Sequence, residues 1–298
     1  MGGPGRTVIR WSAIRAIVWG TSKTACGTMA LPLTHGRGCR PSARSCERTD
    51  RLRGSGGRGQ SGDQALLGDA PVASLGVTEL VERRTVLTVV VGSRAYGLHG
   101  PDSDYDRRGV FAVPTRAFWH LDKPPTHVDG PAEQFSWEFE RFCLLALQAN
   151  PTVLEVLWSP LVETITPDGE RLLAARQAFL SRRMAETYGR YAQDQLNRVA
   201  SRRDRTGETN HKQAMHMIRL LVAGAHVLRT GDVLVDVRHL RGKLLAVRRG
   251  ELPWETVAAW ATDLLAELAD AAAATALPEL PDRDAVDRLL IAVREGNL

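Results

Sequence analysis

The chain has 298 residues, 43% hydrophobic and 24% charged, which is room for about two ordinary domains or one large one. No uncharged apolar run is long enough to span a bilayer, so an integral helical membrane protein is excluded, and four cysteines are too few for a disulfide framework at this length. The net charge of +5 is unevenly spread: residues 1–75 hold 11 Lys+Arg and 4 Asp+Glu, leaving 28 and 30 for the rest, so the basicity does not belong to the main body.

Residues 1–75 read unlike a domain. No acidic residue precedes Glu47, and 51–62, RLRGSGGRGQSG, is low-complexity and predicted to stay without fixed structure. Residues 8–19, VIRWSAIRAIVW, suit a short amphipathic helix. Three readings compete for the segment: an Arg-rich targeting sequence, a basic arm for RNA or membrane, or translated upstream sequence that is not native. The last is favoured, because 35 arginines against 4 lysines look like the coding bias of a GC-rich bacterium. Cys26, Cys39 and Cys46 lie here with His35 but lack the paired spacing of a zinc knuckle. Cys143 is alone in the body, which suits a reducing cytoplasm.

Order is expected from near Val77. Residues 77–84 read as a helix, and 85–91, TVLTVVV, as a buried strand ending at a glycine. Residues 107–113 form a second strand closed by Pro114, and 133–137 a third. A helix follows up to Asn150-Pro151. From about 167 the pattern is helical: 168–180, 182–204, 209–230, 238–249, 254–275 and 282–295, punctuated by Gly207, Gly231 and Gly250. The organisation is therefore 76–166, a small α/β domain, then 167–298, an all-helical domain, with no internal repeat.

The chemistry is concentrated in 92–106, GSRAYGLHGPDSDYD. Gly92 after the strand lets backbone approach a ligand closely, and the Ser93 hydroxyl with nearby backbone N–H groups makes a phosphate site. Asp104 and Asp106 are two apart, so on a strand they share one face about 7 Å apart. Hard oxygen ligands at that spacing suit Mg²⁺, whereas D-x-D alone also reads as a solvated turn. Lys212, His216 and Arg219 lie at i, i+4 and i+7 and share one helix face, which by spacing alone is a solvated basic face.

The segment resembles the signature of the DNA polymerase beta-like nucleotidyltransferases, a glycine-serine followed by D-x-D. More narrowly, GSRAYGLHGPDSDYDRRGVF is similar to the predicted-nucleotidyltransferase branch with G-S-x-x-Y-G-L, S-D-x-D and G-V-F. The resemblance continues at Phe139-x-x-Phe142 with Asn150-Pro151, at Tyr188-Gly189-x-Tyr191 and at Lys212-x-x-x-His216-x-x-Arg219, over roughly residues 80–250. It implies an α/β nucleotidyltransferase domain, a small mixed sheet with helices, followed by the helical domain. It implies transfer of a nucleoside monophosphate from an NTP to a hydroxyl acceptor such as an RNA end. Two Mg²⁺ ions, with Mn²⁺ as the substitute, would be held by Asp104, Asp106 and a third carboxylate. By position that is Glu133, where the family more often has Asp; Glu138 is the fallback. Gly92 and Ser93 would hold phosphates, Lys212 and Arg219 would contact the triphosphate, and His216 either it or the acceptor. The competing classes are a non-catalytic nucleotide- or RNA-binding protein on the same fold, and a protein-interaction module.

Overall fold

The run Thr85–Val90 (β1) is β-branched at five of six positions and buried almost throughout, as a central strand must be. In the computed structural model, which describes residues 82–130 and 134–298, β1 is hydrogen-bonded on both edges. Its antiparallel neighbours are Arg107–Phe111 (β2) and Val162–Ile165 (β5). Gln134–Glu138 (β4) pairs parallel with β2, and His127–Asp129 (β3) antiparallel with β4. The sheet is mixed and five-stranded, in the order β3-β4-β2-β1-β5. Neither β3 nor β5 was expected. Both are short edge strands, and β5 is exposed along its whole length, so neither carries an alternating apolar signature.

Between β1 and β2 lies a single helical turn, Gly92–Ala95 (α1). Phe139–Leu147 (α2) and Pro151–Leu157 (α3) follow β4. The sequence reading ends one helix at Asn150-Pro151; the structure starts a second there. Asn150 caps α3 by accepting from Thr152 N at 3.0 Å, and Pro151 takes the first turn, where its missing N–H costs nothing.

The remaining described residues are helical: Pro167–Ala174 (α4), Arg183–Thr206 (α5), His211–Thr230 (α6), Arg241–Arg249 (α7), Trp254–Ala274 (α8) and Arg283–Gly296 (α9). α6 packs against α5, α7 and α8, so it is buried on several sides, including at Ile218, Arg219 and Leu221. One large core joins the sheet to α2–α9, and a smaller one lies under Phe111, Val113 and Val128. No helix among the described residues is long and apolar enough to cross a membrane. The expectations for 1–75, for the start of the 77–84 helix and for Glu133 lie outside the described residues.

Candidate active site

Gly92 turns the chain out of β1 with φ of +68°, a conformation that strains any residue bearing a Cβ. A Cβ there would also lie 2.4 Å from Asp106 Oδ2. The residue is therefore required twice, by the turn and by the carboxylate beside it. Asp106 is held in place by backbone: Val91 N donates to its carbonyl at 2.9 Å, extending the β1–β2 ladder by one residue. The two aspartates do not both open a strand as expected. β2 starts at Arg107, and Asp104 sits in the irregular segment before it.

What shapes that segment is Arg94. Its Nη2 donates to Ser103 O at 2.7 Å and its Nε to Asp104 O at 3.2 Å, while the guanidinium lies over the Tyr105 ring, 3.6 Å from its centroid. Ser103 Oγ accepts from Gly100 N at 2.9 Å. The loop is thus braced through its carbonyls, which leaves the carboxylates of Asp104 and Asp106 with no ion pair or side-chain hydrogen bond among the described residues. Two unpaired carboxylates with hard oxygens, one lodged against a glycine, fit a divalent cation. No group of three His, Cys, Asp or Glu side chains converges among the described residues, so such a site needs a further ligand.

Gly92, Ser93, Asp104 and Asp106 line one cleft, faced by Lys212 and His216 from α6 and by Arg248 from α7. The helical region also anchors the loop after α1. Arg241 donates to Gly97 O and, at 2.8 Å, to His99 O, and Val237 N donates to Tyr96 O at 3.1 Å. Burial pushes the His216 imidazole down to about 4, with the Arg219 and Lys212 charges acting in the same direction, and its Nδ1 is buried without a partner among the described residues. It faces the cleft as a neutral ring at pH 7.

Arg219 is a correction. It shares the α6 face, but it is 2% exposed and its charge is committed to a buried carboxylate through Nη1. Nη1 meets Glu155 Oε1 of α3 at 2.5 Å, and the guanidinium lies over the Tyr96 ring, 3.8 Å from its centroid. Tyr96 OH donates to Glu155 Oε2 at 2.6 Å. Burial works against the Arg219 charge, and Glu155 beside it more than compensates, so it stays ionised. The trio fixes Tyr96, four residues after Gly92, against the helical region. Arg219 is accordingly not a free cation for a triphosphate. Arg248, which the sequence reading missed, is exposed and in the cleft.

Glu138 is a second correction. Paired residues of parallel strands point the same way, so Phe135 and Trp137 share the face of Arg108 and Val110, and Glu138 shares that of Phe111. Asp106 has the parity of Arg108, so Glu138 is on the opposite face. There it caps α2, accepting from Glu140 N at 2.7 Å, and pairs with Arg294 at 2.9 Å. Burial raises its carboxyl above the usual range against the pull of Arg294. Of the site residues missed, Arg94 lies inside the motif and Arg241 and Arg248 far from it. No spacing rule separates them from the other arginines.

Residues 73–292 match the RlaP family, described as the RNA repair pathway DNA polymerase beta family. No curated protein matches the chain.

Proposed function

This chain belongs to the RNA repair pathway DNA polymerase beta family, a polymerase beta-like nucleotidyltransferase fold, and we propose that it moves a nucleoside monophosphate from an NTP to a hydroxyl on an RNA end. The observation that carries the reading is one cleft. It joins the Gly92-Ser93 turn, two aspartates and two cations, Lys212 and Arg248, that approach from other elements, none of the four side chains ion-paired among the described residues.

In this reading the Ser93 hydroxyl and the backbone at Gly92 hold the terminal phosphates, and Lys212 and Arg248 offset their charge across the cleft. Asp104, Asp106 and Glu133 hold Mg²⁺, for which Mn²⁺ can substitute. Two such ions supply charge stabilisation for the attacking and leaving oxygens. Glu133 lies outside the described residues, and its place in the set rests on the family pattern before Trp137-Glu138-Phe139. His216, neutral at pH 7, can donate or accept one hydrogen bond to a phosphate or to the acceptor without adding charge.

The test is to incubate the protein and Mg²⁺ with each α-labelled NTP in turn over total RNA and total protein. Label on RNA with pyrophosphate release supports the reading. NTP binding with no transfer to any acceptor and no pyrophosphate replaces it with a non-catalytic binding protein.

A further inference from the structure

A second cleft adjoins the first and shares Gly92, Tyr96, Asp106 and His216 with it. Ser93 and Asp104 belong to the first alone; Arg108, Thr152, Tyr191 and Gln195 belong to the second alone. Asp106 stands at the junction. In-line displacement requires attacking and leaving oxygens on opposite sides of the reacting phosphorus. If the triphosphate lies over Ser93, the attacker enters from the second cleft.

That cleft is equipped for a polar ligand. Gln195 Oε1 and Arg219 Nε are buried in it without hydrogen-bond partners among the described residues. Tyr191, which is partly buried against the core, lines both this cleft and a third depression that also contains Asn150, Arg183 and Arg190. Arg183 and Arg190 lie seven residues apart on α5, about 10 Å along one helix face. Arg190 has only a long contact of 3.8 Å to Glu186, the one carboxylate of this depression. Arg108 donates to the neighbouring carbonyl of Arg107 at 2.8 Å and forms no ion pair among the described residues. An aromatic ring flanked by sparsely paired arginines fits a single nucleic-acid strand, with bases stacked and backbone phosphates neutralised. Outside residues 1–75 the chain carries 28 Lys+Arg against 30 Asp+Glu, so this run of arginines is a local feature and not a reflection of overall charge.

We propose that the groove running from Asp106 past Tyr191 to Arg183 seats the acceptor as a single-stranded RNA end, its last nucleotide in the second cleft. Thr152 and Gln195 are placed to read ribose hydroxyls there. The terminal hydroxyl oxygen bonds the α-phosphorus, the bond to the β-phosphate oxygen breaks, pyrophosphate leaves, and the hydroxyl proton passes to solvent. The inference rests on the nucleotidyltransferase reading but is tested by binding.

The probe is a fluorescein-labelled single-stranded RNA of about ten nucleotides with a free 3′-hydroxyl, titrated by anisotropy over a range of salt. Full-length wild-type, Tyr191→Ala and Arg183→Ala/Arg190→Ala proteins are compared, with melting and NTP affinity measured for each. Tyr191→Ala should weaken RNA binding about fivefold or more, the loss of one stacked base. The double variant should lower the salt slope by about 1.4, from two phosphate contacts. Both should melt and bind NTP as wild type does. No RNA binding by wild type, unchanged RNA affinity in both variants, or transfer to a protein acceptor at full rate in both would overturn the groove. If RNA binding behaves as expected but no nucleotide is transferred, the groove stands and the catalytic reading falls.

Discussion

Gly92 and Asp106 are locked together: a single methyl group on Gly92 would sit 2.4 Å from the Asp106 carboxylate oxygen. The turn that presents the segment proposed to bind phosphate and the carboxylate proposed to hold the metal therefore cannot be adjusted independently. Gly92→Ala should cost about 1–3 kcal/mol through its positive φ and should also displace Asp106. A loss of nucleotidyl transfer larger than the loss of thermal stability accounts for would be the signature. A variant with wild-type turnover would separate the two residues.

Asp104→Asn and Asp106→Asn should each reduce transfer roughly a thousandfold, about 4 kcal/mol of transition-state stabilisation. Neither carboxylate is paired among the described residues, so without metal the melting temperature should hold or rise slightly. Single-turnover rates and calorimetry on the same samples check both halves. An Asp104→Asn protein keeping more than about a tenth of the rate would remove the two-metal scheme.

Glu133→Gln and Glu138→Gln should have opposite profiles. Glu138 caps α2 and pairs with Arg294, so its change should lower stability and leave the chemical step nearly untouched. Glu133→Gln should lower the rate with little effect on melting. The reverse ranking would strip Glu133 of its metal role.

Lys212→Ala and Arg248→Ala should each raise the NTP KM several-fold without unfolding the protein, since both side chains are exposed in the cleft. Arg219→Ala should act through stability, because it leaves Glu155 buried and unpaired, at a cost of about 3–5 kcal/mol. Urea melts and initial rates distinguish the two behaviours. An Arg219→Ala protein of normal stability and raised KM would return Arg219 to the triphosphate.

His216 makes stability pH-dependent. Its folded value of about 4 lies below the ordinary 6.5, so between these values the unfolded chain binds the extra proton. Its contribution is complete above pH 6.5, is lost as pH falls from 6.5 towards 4, and levels off below that, roughly 3 kcal/mol in all. The ring is mostly buried, beside Tyr96 on one side and between Lys212 and Arg219 along its own helix. His216→Asn should flatten the stability profile across that window, as read by urea denaturation at closely spaced pH. Parallel wild-type and variant curves would refute the burial argument.

What the sequence determined by itself is what local chemistry dictates. Gly92, Ser93, Asp104 and Asp106 lie within one short segment, so their nearness to one another was legible from spacing, and the fold brings all four to one cleft. The helices after residue 167 were legible because each carries a 3.6-residue apolar period and several end at glycine. Tertiary structure alone decided which charges are available. The period of α6 puts Lys212, His216 and Arg219 on one face, but it cannot say that Glu155, 64 residues earlier, arrives from α3 to neutralise Arg219. Nor can it say that α7 brings Arg248 into the cleft instead. Glu138 was ambiguous for the same reason, since its face is set by the β2–β4 register. Ionic partners are chosen by which surfaces pack together, and packing joins residues that the sequence keeps far apart.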